Sequence, residues 1–335
     1  MEYKNNLTDD GGDDGDGNII ICNSFDFSTI NGYIFILITI ISVIGNILLI
    51  FALHTQKDLN SVIKTHILNL ACSDLIFTAS LPFWSYYHLH HWIFGDFMCK
   101  FITMVHFVGL YSSIFILTAL TVDRFIAVVL NKWWNNNLRK RCAVGASVAA
   151  WIISIAASVY DTSKIQVEED YYCEANYDVD LGYYFQVSLL FLLPLIIIIF
   201  CLFAIIMTVF QSTSRQRHKA IGIVFCTISA YFICWGPYNF LLFIKFLYEP
   251  KGCKAVELLE TTYNICRILA FSHCCVNPSL CLLSQTVRRH LLSRLEGEIV
   301  CLNKRKVTEQ NRLDLETVCL SIAPNSAVIV KRGNL

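Results

Sequence analysis

The sequence is poor in charge for its length. Charged residues make up only 16% of the 335 residues, whereas hydrophobic residues make up 55%. A soluble protein draws about a quarter of its residues from Asp, Glu, Lys and Arg, so this chain has too little charge to cover a soluble domain of its size. The formal net charge of zero hides an uneven distribution along the chain.

The sequence also lacks motifs of catalysis, metal binding and repetition. It has no HExxH, no GxSxG, no phosphate-binding loop and no paired carboxylates in a helical pattern, so we do not expect an enzyme. No Cys or His set has metal-site spacing, which argues against a structural metal. No repeat of about 20–50 residues and no matching broken segments in the two halves are present, which argues against a secondary transporter. A transporter stays as a remote alternative.

What the chain does contain is long apolar runs. A bilayer core about 30 Å thick needs roughly 20 apolar residues in a helix, and seven stretches meet or approach that length. Only two of them contain a charge, Asp74 in the second and Arg267 in the seventh. The stretches are 31–53, 65–88, 101–122, 142–160, 181–210, 220–244 and 261–287.

Each apolar run should be a helix, because lipid offers no partner to bare backbone groups. A soluble helical core would instead need a polar face at a period of 3.6 residues, and whole turns here lack one. We therefore predict an all-α membrane protein, a bundle of seven transmembrane helices over residues 31–284. Residues 285–335 are predicted to form a short amphipathic helix 8 and a cytoplasmic tail, and residues 1–30 a disordered extracellular segment.

The loop charges predict the orientation. If the N-terminus is outside, few basic residues face the outside, and many face the cytoplasm, as the positive-inside rule requires. The sequon Asn6-Leu7-Thr8 is usable only on the outer side. We expect a multi-pass plasma-membrane protein with an extracellular N-terminus and a glycan at Asn6. Basic residues on the outer side include Lys4, Lys164, Lys251 and Lys254; those on the inner side include Lys57, Lys64, Lys132, Arg139, Lys140, Arg141, Arg215, Arg217, Lys219, Arg288, Arg289 and Arg294.

The predicted outer surface is acidic. The N-terminal segment and the loop after helix four hold most of the acidic residues outside the apolar runs. These acids can simply be a solvated surface. They can also attract a basic protein and raise its encounter rate by about 10–10³. The acids are Glu2, Asp9, Asp10, Asp13, Asp14, Asp16 and Asp26, then Asp161, Glu168, Glu169, Asp170, Glu174, Asp178 and Asp180.

Four of the 15 cysteines fall on the predicted outer side: Cys22, Cys99, Cys173 and Cys253. Four cysteines allow three pairings, and spacing alone does not choose among them. Most of the others lie within apolar helices, where cysteine acts as a small hydrophobe.

Short motifs fall one in each apolar stretch and in chain order, a pattern far more specific than any single motif. They are Gly45-Asn46; Asn69-Leu70-Ala71-Cys72-Ser73-Asp74; Cys99 with Asp123-Arg124-Phe125; Trp151; Pro194; Cys234-Trp235-Gly236-Pro237; and Asn277-Pro278. In this pattern the chain resembles the rhodopsin-like (class A) G-protein-coupled receptors over nearly its whole length. Further stretches resemble the chemokine receptors: Ser80-Leu81-Pro82 with Trp84, Trp92-Ile93-Phe94-Gly95, and His273-Cys274-Cys275-Val276-Asn277-Pro278.

Within the chemokine receptors the chain is similar to the XC type, which recognises lymphotactin-type ligands. Arg267 stands where most chemokine receptors carry a glutamate, and the XC type shares that arginine. The stretches that carry the likeness are Leu110-Tyr111-Ser112-Ser113-Ile114-Phe115, Trp235-Gly236-Pro237-Tyr238-Asn239-Phe240, and Cys266-Arg267 with Ala270-Phe271-Ser272-His273-Cys274-Cys275.

The resemblance implies a set of structural and switching residues. It pairs Cys99 with Cys173 and Cys22 with Cys253. It implies an allosteric sodium ion at Asp74, Ser113 and Asn277, beside Asn46 and near His273, and no other cofactor. His273 and Cys274 depart from the usual ion shell, and hydrogen bonds alone can satisfy a buried carboxyl. The implied switch residues are Asp74, Asp123, Arg124, Trp235, Pro237, Asn277 and Pro278.

A ligand site is expected in the outer half of the bundle. A charge inside a membrane helix is costly and is usually functional, so Arg267 should face a central cavity about two turns into helix seven. For each aromatic residue nearby, plain packing is the alternative role. The expected ligand-binding residues are Trp84, Tyr87, His106, Gln186, Tyr238, Tyr263 and Arg267.

The implied function is a receptor that binds a small basic chemokine outside and activates a heterotrimeric G protein, of the inhibitory class, inside. Arrestin and membrane lipid are further expected partners, and nucleic acid is not. Relatives carry tyrosine where this chain has Leu202 and Cys281, and Phe125 replaces the tyrosine after Arg124. The first two losses, at Leu202 and Cys281, remove polar contacts of about 1 kcal/mol each from the family's active-state network. A scavenging receptor that binds chemokine without signalling is therefore an alternative, as is another peptide receptor.

Overall fold

A computed structural model describes residues 27–55, 61–130, 136–163, 165–168, 172–175, 181–210, 215–247 and 252–283. The segment before residue 27, with Asn6 and Cys22, lies outside the described residues, as does the predicted helix 8 and tail over 285–335.

Helices account for nearly all of the described residues. The helices and the two strands follow one another in the order α1 (Ser28–Thr55), α2 (Ser61–Leu89), α3 (Gly95–Val128), α4 (Asn136–Thr162), β1 (Ile165–Glu168), β2 (Tyr172–Ala175), α5 (Leu181–Phe210), α6 (Arg215–Leu247), α7 (Cys253–Phe271) and α8 (His273–Leu283). The short helix α8 follows α7 directly, and the two together cover the described part of the seventh apolar stretch.

The membrane-spanning character is clearest in α1–α5. Each contains a span long and apolar enough to cross a membrane: 28–54, 62–89, 95–128, 137–162 and 191–208. Helix α6, and α7 with α8, complete the seven-helix bundle that the sequence predicts, with a short helix joined to α7. The fold class is therefore confirmed.

The distribution of apolar side chains is that of a protein in lipid. Large apolar side chains of α1, α4 and α5 are exposed, among them Ile36, Ile152 and Phe200. The interior holds a second apolar set, centred on residues such as Phe77 and Leu117. Because lipid is as apolar as the core, helices are held together chiefly by packing and by interhelical polar contacts.

Helices α2 and α3 approach each other closely at Gly109. A Cβ added there would collide with the backbone of Phe77. A small residue at this position is therefore what allows the two backbones to touch. This contact fixes α3, which carries Ser113 and Asp123, against α2, which carries Asp74.

A two-stranded antiparallel hairpin follows α4, with Val167 opposite Cys173. A disulfide joins Cys173 to Cys99 near the start of α3, and its Cα atoms are 5.7 Å apart. The implied Cys99–Cys173 pairing is confirmed. Cys253, the first residue of α7, is also disulfide-bonded. Its implied partner, Cys22, lies outside the described residues.

Candidate functional site

A buried polar pocket surrounds Asp74 in the middle of the bundle. The Asp74 side chain is 0% exposed. Oγ of Ser113 donates to its Oδ1 at 3.2 Å, and Nδ2 of Asn277 donates to its Oδ2 at 2.9 Å. Nε2 of His273 lies 3.8 Å from Oδ1. The structure thus brings together Asp74, Ser113, Asn277 and His273 from α2, α3 and α8.

The buried side chain of Asn46 bonds to the backbone of α1 and of α8. Its Nδ2 donates to the backbone oxygens of Ser42 and Cys274, both at 3.0 Å. These two bonds show that the Asn46 side chain ties α1 to α8; its expected position beside the Asp74 carboxyl stays a prediction. The backbone of α8 offers an acceptor at Cys274, and a buried amide takes the nearest acceptor available.

The atoms that line this pocket determine how well it fits the implied sodium ion. Asp74 and Ser113 present oxygen atoms, which hard cations prefer. Asn277 turns its amide nitrogen toward Asp74, and Cys274 donates its thiol to the oxygen of Phe271 at 3.2 Å. Oxygen donors from Asp74 and Ser113 therefore fit a sodium ion, and the shell around them has fewer oxygens than the resemblance implies.

Trp235 links this pocket to the outer half of the bundle. Its ring lies 5.2 Å from the His273 ring and 5.8 Å from the Tyr238 ring, measured between centroids. The indole is buried. Pro237 lies within the same helix, two residues further along. Trp235 therefore touches a neighbour of Asp74 on one side and an expected ligand-binding residue on the other.

A second cluster of charged side chains lies near the C-terminal end of α3. Asp123 pairs with Arg124, its neighbour in sequence, as the resemblance implies. Nε of Arg139 also lies 2.7 Å from Oδ1 of Asp123. One buried carboxylate thus holds two guanidinium groups. The sequence assigned Arg139 only to the charge count of a loop, because it does not show that α4 begins at Asn136.

Arg267 lies toward α1 and α2. Its Nη2 donates to Oδ1 of Asn264 at 3.0 Å and lies 3.4 Å from Nε2 of His88. Asn31 also donates to the same Asn264 oxygen, at 3.0 Å. The Arg267 guanidinium carbon is 5.9 Å from the centre of the Phe35 ring. Three neutral groups from α1, α2 and α7 therefore surround this cation, and sequence reasoning had found none of them.

Arg267 also lies deeper in its helix than expected. Helix α7 begins at Cys253, so Arg267 is about four turns from its start, at 3.6 residues per turn, and not two. Gly252 has a φ of 85° immediately before the first helical residue, a backbone conformation that favours glycine. The expectation had counted from the start of the apolar run at residue 261.

The other expected ligand residues form two groups. Trp84 lies 6.1 Å from Tyr87 and 6.2 Å from His106, ring to ring, on α2 and α3. Tyr238 and Tyr263, on α6 and α7, have their hydroxyls 3.3 Å apart. Arg267 lies beside the second group, with its guanidinium carbon 5.8 Å from the Tyr263 ring centre.

Gln186, on α5, falls in a stretch whose side chains lie outside the described part of the chain. The expectation of one ligand site formed by all of these residues stays a prediction.

Comparison with known proteins agrees with this architecture. Residues 45–280 match the family model described as 7 transmembrane receptor (rhodopsin family). Chemokine XC receptor 1 of Homo sapiens is 40% identical over 253 residues, which cover 74% of this chain and 75% of the relative. Chemokine XC receptor 1 of Mus musculus is 37% identical, with 82% and 86% covered.

A receptor of another chemokine class is nearly as similar. CX3C chemokine receptor 1 of Homo sapiens is 34% identical over 271 residues, 77% of this chain and 75% of the relative. These matches are receptors and not enzymes. With its seven-helix bundle and its Cys99–Cys173 disulfide, the chain belongs to the chemokine receptors of the class A G-protein-coupled receptor family.

Proposed function

We propose that this chain is an XC-type chemokine receptor of the plasma membrane, with its N-terminus outside. It binds a small basic chemokine at its outer face and activates a heterotrimeric G protein of the inhibitory class. The observation that carries the proposal is the environment of Arg267, together with 40% identity to a relative named as an XC receptor.

Arg267 supports a ligand-binding role because its charge is not neutralised by its described neighbours. Its hydrogen-bond partners are the amide of Asn264 and the ring of His88. No carboxylate forms an ion pair with it among the described residues, and its Nε is buried with no acceptor there. Keeping such a charge in a membrane helix is costly. A ligand that brings an acceptor into this region would satisfy it.

The orientation rests on the loop charges and on the glycosylation sequon at Asn6. With the N-terminus outside, the acidic segment over residues 1–30 faces the side from which a basic ligand arrives. An acidic surface there raises the rate of encounter. The Cys99–Cys173 disulfide, which requires an oxidising compartment to form, also favours this orientation.

The inner half supports G-protein activation through its retained switch groups. Asp123 and Arg124 are paired at the end of α3. Asp74 is linked by hydrogen bonds to Ser113 and Asn277. A sodium ion held by Asp74 and Ser113 would add a positive charge to this pocket and would favour the resting state. Arrestin is a further expected partner of the same inner face.

A scavenging receptor is the second candidate, favoured by Leu202 and Cys281. Leu202 packs against the buried core, where relatives carry a tyrosine. Cys281 lies in α8, and its side chain is outside the described residues. Neither residue supplies the phenol hydroxyl of the family's active-state network.

The deciding experiment is a screen of labelled chemokines on cells that express this chain, followed by cyclic-AMP and calcium measurements. Binding of a lymphotactin-type chemokine with a fall in cyclic AMP supports the proposal. Binding and uptake without either second-messenger response would support the scavenging function. Binding only of another chemokine class would contradict the XC type.

A further inference from the structure

An ion pair joins the outer end of α6 to a residue about two turns into α7. Nζ of Lys245 lies 2.7 Å from Oε1 of Glu260, and the two side chains are 24% and 28% exposed. By contrast, the pair between Lys100 and Asp96 joins residues one turn apart in α3 and is more exposed. A partly buried pair is screened less by salt than an exposed one. The Lys245–Glu260 pair, called the outer pair below, also connects two different helices.

The outer pair is continuous with Trp235. Nζ of Lys245 lies 4.1 Å from the centre of the Tyr263 ring, within the range of a cation–π contact. The Tyr263 hydroxyl is 3.3 Å from that of Tyr238, and the Tyr238 ring is 5.8 Å from that of Trp235. Contacts therefore run without a gap from Glu260, about two turns into α7, to the buried Trp235 of α6.

We propose that Glu260 is a docking carboxylate for a basic side chain of the ligand, and that Lys245 occupies it until the ligand arrives. This inference rests on the proposed function in taking the ligand to be a basic protein. On binding, a ligand ammonium or guanidinium replaces Lys245 on Glu260, and Lys245 turns to solvent. Glu260 has one cationic partner before and after the exchange, so its partly buried carboxylate is not left unpaired.

The exchange has a consequence inside the bundle. When Lys245 leaves Glu260, it also leaves the face of Tyr263, and the interhelical bond that holds α6 to α7 at this level is lost. The ring of Tyr263 and its contact with Tyr238 are then free to shift against Trp235. The outer pair therefore couples ligand charge to the residue that lies beside His273 and the Asp74 pocket.

Substituting Glu260 and substituting Lys245 should change the affinity for ligand in opposite directions. Labelled lymphotactin-type chemokine is the probe, on cells with matched surface expression. Glu260→Gln removes the docking charge and should weaken binding about tenfold. Lys245→Gln removes the competitor and should strengthen binding a few-fold. Equal signs for the two variants would mean that the pair is only a brace, and would overturn the docking role.

Matched controls lie on α7. Glu257→Gln and Lys254→Gln make the same charge changes at exposed positions. They should alter affinity by less than about twofold, because exposed charges are screened by solvent. A change at Glu257 as large as that at Glu260 would show a general effect of acidic charge and would contradict a specific site.

A ligand-free measurement separates this inference from the proposed function. In thermal melts of the purified receptor, each single variant should lower the Tm equally, and the double variant no further. The exchanged pair, Lys245→Glu with Glu260→Lys, should restore the parent's Tm. Additive losses would show that the pair does not form. A parent receptor that binds no lymphotactin-type chemokine, with a non-additive cycle, would overturn the XC assignment and leave the pair standing.

Discussion

Arg139 and Asp123 form a second ion pair beside the Asp123–Arg124 pair, with Nε of Arg139 2.7 Å from Oδ1 of Asp123. In the resting arrangement Asp123 has two cationic partners. If Arg124 leaves to meet the G protein, Arg139 still neutralises the carboxylate. Arg139 therefore lowers the cost of the active arrangement, because a buried carboxylate stripped of its partner costs about 3–5 kcal/mol.

We accordingly predict that Arg139→Gln weakens signalling. Asp123 then has only Arg124, and releasing Arg124 leaves a buried charge unpaired. The dose–response curve for nucleotide exchange on the G protein should move at least about tenfold to higher ligand concentration. Lys140→Gln, an exposed neighbour, is the matched control. Arg139→Lys should recover part of the loss; stronger signalling in Arg139→Gln would contradict the argument.

Arg267→Gln should weaken signalling more than surface docking. Arg267 is a permanent cation held by Asn264 and His88, about four turns from the start of α7. Capture of the ligand is proposed to depend on the acidic N-terminal segment and not on Arg267. We expect the potency of signalling to fall at least about tenfold while the association rate changes little. Coincident dose–response curves at matched expression would show that Arg267 plays no part in recognition.

The disulfide between Cys99 and Cys173 should be required for surface expression and ligand binding. It fixes the outer hairpin to the start of α3. Losing a native disulfide costs about 2–5 kcal/mol in small secreted domains. Cys99→Ala and Cys173→Ala should each reduce surface staining and binding, and the double variant should be no worse. Cys142→Ala, at an exposed free cysteine, is the control. Unchanged binding in the single variants would show that the hairpin is held by other contacts.

The acidic segment is predicted to act on the rate of capture. Deleting residues 2–17 removes five Asp and one Glu against one Lys. The association rate should fall and its dependence on salt should flatten, because a long-range attraction is screened within about 10 Å at 0.1 M salt. The measurement is chemokine association at several ionic strengths. An unchanged association rate at low salt would show that these acidic residues form only a solvated surface.

Segment length and composition are enough to predict the bundle, because an apolar run of about 20 residues in lipid satisfies its backbone groups as a helix, whereas strands of a closed barrel are about half that length. The contacts of Arg267 were beyond the sequence. They depend on where α7 begins, at Cys253, and on how α1 and α2 pack against it. A shift of one residue in a helix turns a side chain by about 100°. Arg267 lies among Asn264, His88 and Phe35, and the sequence marked none of these three as its neighbours.

Polar contacts between helices are likewise hard to predict from the sequence unless a family motif marks the residues. Asp74, Ser113 and Asn277 were expected to lie together because each belongs to a stretch that resembles the family. In the structure Ser113 and Asn277 both donate hydrogen bonds to Asp74. Lys245 and Glu260 belong to no such motif, and they lie 15 residues apart in sequence on two different helices. Only the packing of α6 on α7 brings them within reach of each other.

Leu202 and Cys281 are predicted to damp coupling to the G protein. In relatives two tyrosines at these positions meet through water when helix six swings out, and they hold the freed arginine. Leucine and cysteine cannot form that bridge, while Asp123, Arg124 and Trp235 remain. The switch should still move, but its active position should be populated less, because a population follows the free-energy difference between states.

Restoring both hydroxyls should therefore raise signalling. Leu202→Tyr with Cys281→Tyr should increase basal or ligand-stimulated G-protein activation by more than the sum of the single changes, since a shared network is non-additive. The control is surface expression and chemokine binding, because Leu202 packs against the core and a larger ring there can cost about 1–3 kcal/mol. If the double variant folds, binds and signals no better than the parent, the bridge has no role in this receptor. The parent's own G-protein response then decides between coupling through other contacts and scavenging.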